Sequence, residues 1–265
     1  MRVVQLLVVL SACVHCAWAE MDVKALVEES VRNYERDWKA AANDWSCIQT
    51  DVSRSGGKQE TDVSEVVPLV GTPYDRLLKK DGQPLSPAAQ RKEERKYQHV
   101  SRERAEESPE ERAARLRKYE NERAFIHDIP RAYSFRLEGE ESVNGRPAWV
   151  IAMTPRAGFE PSTTHGGMLS HIEGRLWIDK QDVQWAKAES HVMDPISMGW
   201  ILARIDQGTR FTLEQTRVAE GLWMPSRVTV EGAALVMMVH EKPIHEEVTW
   251  SGYHRQIGNP IIDSE

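Results

Sequence analysis

Between Met21 and Asn43 the apolar positions Val23, Val27, Val31, Tyr34, Trp38 and Ala41 recur at intervals of three and four. That spacing gathers them on one stripe of a helix, with Glu28, Glu29, Arg32, Arg36 and Lys39 on the opposite side. The stripe predicts an amphipathic helix resting on a sheet. Two runs of strand length follow, about 45–54 and 59–69, and Ser55-Gly56-Gly57-Lys58 supplies the turn between them. From Tyr133 the period changes to two: Tyr133, Phe135 and Leu137 alternate with Ser134, Arg136 and Glu138. Asn144-Gly145 marks a hairpin and 149–153 reads as the return strand. Beyond a polar stretch at about 155–170 come runs at 172–179, 183–192, 209–218, 223–230, 235–240 and 244–253, with turn residues between them. Consecutive short strands joined by tight turns build an antiparallel sheet. The predicted class is therefore α+β: a strongly curved antiparallel sheet, an open half-barrel, holding the N-terminal amphipathic helix in its concavity.

The alternation also separates two faces. Leu176 and Ile178 oppose Arg175, Trp177 and Asp179, and Phe211 and Leu213 oppose Thr212 and Glu214. On 183–192, Ala186, Ala188 and Ser190 oppose Trp185, Lys187, Glu189 and His191. Each strand thus shows one apolar or small face and one charged face. Small residues on an inner face leave room for a closely packed helix or for an apolar cavity, and both readings stay open. If a cavity exists, its candidate lining is Phe135, Leu137, Leu176, Ile178, Phe211, Leu213, Val228, Val248 and Trp250.

Residues 86–127 break both periods. Ser86-Pro87 and Ser108-Pro109 each set an N-cap serine before a proline suited to the first helical position, and Ser108 with Glu111 completes a capping box. Between Arg91 and Arg123 most side chains are Arg, Lys or Glu, so this stretch predicts exposed helices that leave the main fold. Its mixed signs do not make a nucleic-acid surface. The whole chain agrees: 34 Lys+Arg against 41 Asp+Glu gives a net charge of −7, without the basic excess of a nucleic-acid binder. Over 265 residues, 40% hydrophobic and 28% charged content suffices for a packed core and excludes wholesale disorder.

Arg2, the apolar run from Val3 to Val14 and Ala17-Trp18-Ala19 compose a secretory signal peptide over residues 1–19. The expectation is a single periplasmic domain at 20–265, with a charged helical insertion at about 74–127. Leu10-Ser11-Ala12-Cys13 offers the alternative of a lipid anchor at Cys13. Beyond the signal, no stretch approaches the ~20 consecutive apolar residues of a membrane span.

Catalytic chemistry finds little support. Cys47 is the one cysteine after the signal and reads as a small buried hydrophobe on a strand, since no partner residue lowers its pKa. His240 and His245 flank Glu241 and Pro243 in a stretched imitation of a metalloprotease box. The zinc motif needs its histidines four apart on a helix, and these are five apart in a strand-like run. His165 and His171 have no local partners. Ser55-x-x-Lys58 sits at a hairpin turn rather than a helix start, without its companion motifs. No catalytic residue, metal or cofactor is expected.

The helix, the antiparallel strands, Gly174-Arg175-Leu176-Trp177-Ile178-Asp179-Lys180, Ala186-Lys187-Ala188-Glu189 and Leu213-Glu214-Gln215-Thr216-Arg217 with Gly221-Leu222-Trp223-Met224-Pro225 together resemble the outer-membrane lipoprotein-sorting superfamily (LolA/LolB-like). The similarity covers about 21–54 and 130–255, and the charged insertion departs from it. The resemblance implies a half-barrel of about eleven strands whose concave apolar face accepts acyl chains. It implies a non-enzymatic carrier or sensor, with a lipid or acylated lipoprotein as partner. The alternative expectation is an envelope protein-interaction module on the same fold, docking a protein partner through the helices of 86–127.

Overall fold

The structure, a computed structural model, describes residues 21–55, 57–198, 203–236 and 240–256. The segment expected to be a signal peptide, and with it Cys13, lies outside the described residues. The first helix, α1 (Val23–Asp44), starts where the Asp22 carboxylate accepts the Ala25 N–H at 3.0 Å. It buries Leu26, Val27, Ser30 and Val31 and ends directly in strand β1 (Trp45–Ser55). β2 (Lys58–Leu69) pairs back along β1 from Ser55↔Lys58 onward. Two strands absent from the sequence expectation follow, β3 (Thr72–Lys80) and the short β4 (Gln83–Pro84). The span 74–127 therefore holds one edge of the sheet as well as charged helices.

Those helices are α2 (Pro87–Glu106) and α3 (Pro109–Asn121). The Ser86 hydroxyl accepts the Ala89 N–H, and Ser108 and Glu111 exchange both capping-box bonds, at 3.2 and 2.9 Å. Neither helix has a buried residue, yet both are tied to the β2–β3 turn. Arg104 donates to the carbonyls of Leu69 and Thr72, and Arg115 to the Val70 carbonyl and the Thr72 hydroxyl. Tyr97 and Val100 cover a small cluster of Val67, Leu69 and Tyr74. Gly71 (φ +86°) leaves room for this approach, because a Cβ there would stand 3.0 Å from Leu116 Cδ2.

The chain re-enters the core through a 3₁₀ turn (Ala124–Asp128) and the single-turn α4 (Ile129–Ala132). It then builds β5 (Tyr133–Val143) and β6 (Arg146–Pro155), joined by Asn144-Gly145, both at positive φ. A loop and a second 3₁₀ turn (Gly166–His171) lead to β7 (Ile172–Asp179) and β8 (Trp185–Val192). Short β9 (Ile196–Met198) and β10 (Ala203–Ile205) precede β11 (Arg210–Ala219). The three runs expected over 223–253 belong to one long hairpin, β12 (Leu222–Val236) and β13 (His240–Arg255).

The thirteen strands of the described residues join one antiparallel sheet with the open path β4-β3-β2-β1-β13-β12-β11-β8-β7-β6-β5. The first and last strands of the fold meet at its centre, where β1 pairs with β13. α1 lies on the inner face. Val27, Val31, Ile151, Leu176, Ile178 and Trp185 form the principal core between α1 and β5–β8. One expectation fails here. Trp185 does not share a face with Lys187, because the register slips between Trp177↔Lys187 and Ile178↔Trp185. The irregularity turns Trp185 inward, where it stacks on Tyr34 at 4.4 Å and donates from Nε1 to the Ser30 hydroxyl at 2.9 Å.

Buried polar groups pin the elements to one another. Asp37, 2% exposed, accepts from the Trp223 N–H at 2.9 Å, from Arg36 at 2.9 Å and from Gln184. Burial pushes its carboxyl up, while Trp223 and Arg36 oppose the rise. Asp128, fully buried, accepts from the N–H and hydroxyl of both Ser162 and Thr163 and from Arg131. Burial alone would raise its pKa, but these donors hold it well below the usual carboxylate range. No helix among the described residues is long and apolar enough to cross a membrane.

Candidate functional site

The inner face is not filled evenly. Past Tyr34, α1 continues with Trp38, Ala41 and Ala42 over strands β11, β12, β13, β1, β2 and β3, and a cavity of about 370 Å³ remains between them. Tyr34 stands at the boundary, stacked on Trp185 of the core and also lining the cavity. Further aromatic wall comes from Trp45, Trp223, Trp250 and Tyr253, with Leu213, Met224 and Val228 between them. Ala41 and the buried Ala42 end the helical stripe with one-carbon side chains, and both line the space.

The helical excursion supplies the rim. Trp38 meets Tyr119 edge-on at 5.6 Å, and the Arg123 guanidinium lies 3.9 Å from the Tyr119 ring centroid and 5.7 Å from that of Trp38. Arg123 also donates to the Tyr119 carbonyl at 3.1 Å. α3 thus contributes part of the wall, which composition alone did not disclose.

The polar groups of the wall are few. Trp250 Nε1 donates to Gln49 at 2.8 Å, Trp223 Nε1 to Asp182 at 2.9 Å, and the Tyr253 hydroxyl to the Pro225 carbonyl at 2.6 Å. Cys47 sits beside Tyr253, and burial pushes its thiol up to about 11, so at neutral pH it is a protonated thiol rather than a nucleophile. Burial also raises the carboxyl of Asp75, with Lys96 partly offsetting the shift. Two residues of the wall each carry a fully shielded polar atom with no partner among the described residues: Gln215 Oε1, on a residue 2% exposed, and Trp38 Nε1.

The residues singled out from sequence divide into three sets. Leu213, Val228 and Trp250 lie on the cavity wall. Phe211 and Val248 are half-buried on the same strands, one alternate position away and outside the wall. Leu176 and Ile178 are buried in the filled core with Phe135 packed against it, and Leu137 is 40% exposed. Sequence reasoning missed the aromatic residues of α1 as wall, together with Gln215, Tyr119 and Arg123. The helical stripe signalled Tyr34 and Trp38 as inward-facing; nothing local signalled the others.

A second concavity, of about 380 Å³, opens on the charged outer face among Glu138, Arg175, Glu189, His191 and Arg210. It is a groove between ion-paired side chains such as Arg175–Glu138 at 2.7 Å, and the aromatic cavity is the better-built site. His240 through His245 lie on β13, and Ser55 and Lys58 face each other where β1 meets β2. Among the described residues no group of three or more His, Cys, Asp or Glu side chains is placed to hold a metal.

No family model and no curated protein matches the chain. Several solved structures are similar to it. A putative outer membrane lipoprotein-sorting protein domain from Vibrio parahaemolyticus is 11% identical, over 88% of this chain and 94% of that one, with a TM-score of 0.37. A LolA superfamily protein from Nitrosomonas europaea is 12% identical over 91% and 97%, with a TM-score of 0.34. A DUF1329 family protein from Desulfovibrio piger is 14% identical over 89% and 94%, with a TM-score of 0.36. At this identity and overlap none of the three bears on ligand or chemistry.

Proposed function

We propose that the protein is a non-enzymatic periplasmic carrier or sensor that takes the acyl chain of a lipid or acylated lipoprotein into the cavity beneath α1. In this reading the sheet wraps α1 as an open half-barrel. The observation that carries it is the shape and lining of the space. The cavity crosses six neighbouring strands, a path of up to about 24 Å at ~4.8 Å per strand, and its wall is mostly aromatic and aliphatic. An elongated apolar guest fits such a cleft better than a compact polar one. Its volume lies within the ~300–1,000 Å³ of ordinary ligand sites. Burial at ~25 cal/mol per Å² gives an acyl chain several kcal/mol of transfer free energy.

Trp38, Trp45, Trp223 and Trp250 in the wall provide the test, because a bound chain changes their surroundings. Titration of the exported protein with an alkyl probe is expected to shift tryptophan fluorescence saturably, and mass spectrometry of the purified protein to find co-purified lipid. A linear, non-saturating response with no lipid recovered would defeat the reading. Docking of an envelope protein on α2 and α3 is the second reading, favoured by two charged helices that bury no residue.

A further inference from the structure

Among the described residues Arg123 is the one cation of the cavity wall, and it stands at the rim, just past the end of α3. Its guanidinium lies 3.9 Å from the Tyr119 ring centroid and 5.7 Å from that of Trp38, two rings that line the same space. These contacts hold the group in place, and Nη1 donates to the Tyr119 carbonyl at 3.1 Å. Its other N–H groups meet no hydrogen-bond acceptor among the described residues. Neighbouring cations are better partnered: Lys39, 5.5 Å from the Trp38 ring centroid, pairs with Glu35 at 2.7 Å, and Arg115 with Glu107 at 2.6 Å. Arg123 has only the Glu122 carboxylate, 4.0 Å away on a side chain that is 55% exposed. Burial raises the hydroxyl pKa of Tyr34 and of Tyr119, and the Arg123 charge opposes both rises. Its field therefore reaches two other residues of the wall.

We infer that Arg123 makes the cavity select amphiphiles with an anionic head, a carboxylate or phosphate held at the rim while the chain runs inward. The inference rests on the carrier reading and narrows it. The planar fork of a guanidinium matches the paired oxygens of either head. A rim position suits an amphiphile, because the head keeps its contact with water and the chain leaves it. The attraction there also exceeds that between fully exposed charges, since apolar wall replaces part of the surrounding water. Asp75 is the wall's one carboxylate among the described residues, and no ion pair joins it to Arg123. Burial pushes Asp75 toward its neutral form, whereas a guanidinium stays charged throughout the working pH range. The apolar lining supplies affinity for any chain of suitable length, and Arg123 decides which head is held.

The experiment compares four probes of matched chain length: dodecanoate, dodecyl phosphate, the neutral methyl dodecanoate and the cationic dodecyltrimethylammonium. Affinities are read by displacement of a neutral fluorescent alkyl probe from the full exported protein, below the micelle-forming concentrations. The wild type is expected to bind both anions about tenfold more tightly than the cation, the effect of a charge-assisted hydrogen bond. Tighter binding of dodecanoate points to a free acid as the natural head, and tighter binding of dodecyl phosphate to a phospholipid. Added salt is expected to weaken the anions and to spare the ester. Arg123→Gln should weaken both anions about tenfold more than it weakens the ester, and Arg123→Lys should restore part of that loss. A purely structural role for Arg123 would weaken all four probes alike and overturn the inference. Wild-type affinity for the cation equal to or above that for the anions would overturn it too, while leaving the carrier reading intact. Failure of all four probes, and of the neutral reporter itself, would sink the carrier reading. The wild-type comparison and its salt dependence decide the matter even if a variant fails to fold.

Discussion

The two halves of the inner sheet face carry similar apolar residues but different coverings. Over β5–β8, α1 brings Val27 and Val31 onto Ile151, Leu176 and Ile178, and the space is filled. Over β11–β13 and β1–β3, the same helix presents the short side chains of Ala41 and Ala42, and aromatic rings wall a cavity. The difference teaches that an apolar inward pattern records only which side faces in. What it meets there depends on the size of the opposing residues. Leu176 and Val228 have the same character in sequence and opposite situations in space.

The strongest way to test that contrast is truncation on both sides. Leu176→Ala in the filled half is expected to lower unfolding free energy by about 2–5 kcal/mol, whereas Val228→Ala on the cavity wall should cost about 1 kcal/mol or less. Urea unfolding of the two variants measures both, and similar losses would mean the second half is packed as tightly as the first.

Asp128 anchors the 162–163 loop beside the filled half. Replacing it with alanine strands the donors of Ser162, Thr163 and Arg131, for an expected loss of about 2–3 kcal/mol at pH 7. Because its folded pKa lies below the unfolded value, the stability it contributes is present above the unfolded pKa. That contribution is lost as pH falls through the acid range toward the folded value. The difference between wild type and Asp128→Asn should therefore shrink on acidification, and a constant gap from pH 7 to pH 3 would contradict this.

Added volume separates the halves from the other direction. Ala188 packs against the filled core opposite Leu176, so Ala188→Trp should overpack and cost about 1–3 kcal/mol. Ala41→Leu projects into the cavity and should leave the midpoint temperature within about 2 °C, because the space accepts it, while weakening alkyl-probe binding. A large drop in midpoint for Ala41→Leu would show no usable room.

The smallest effect concerns Cys47, whose buried, protonated thiol lines the cavity. Native protein is expected to react with iodoacetamide at Cys47 at least ten times more slowly than unfolded chain, with peptide mapping as the readout. Bound alkyl probe should slow it further; rapid native labelling would mean the cavity stands open to water.

The excursion shows how composition can mislead about attachment. Its caps at Ser86 and Ser108 were legible because capping is local chemistry. Its anchorage was not. Arg104 and Arg115 look like any surface arginine until the β2–β3 turn brings the carbonyls of Leu69, Val70 and Thr72 beneath them. Removing about 90–125 would uncover Val67, Leu69 and Tyr74 and take away the Tyr119 rim. The deletion therefore reaches beyond an exposed loop.

Sequence by itself determined the kinds of element and their facing. The three-and-four spacing of α1, the alternation in β5, β7 and β11, the serine caps and the Asn144-Gly145 hairpin all depend on residues within a few positions of one another. Tertiary structure alone decided the turn of Trp185 into the core, since a register slip between neighbouring strands leaves no trace in one strand's alternation. It also decided the cavity. Gln215 is one more polar residue in a charged strand until the helix, five other strands and the α3 rim enclose it, and enclosure is a property of residues distant in sequence.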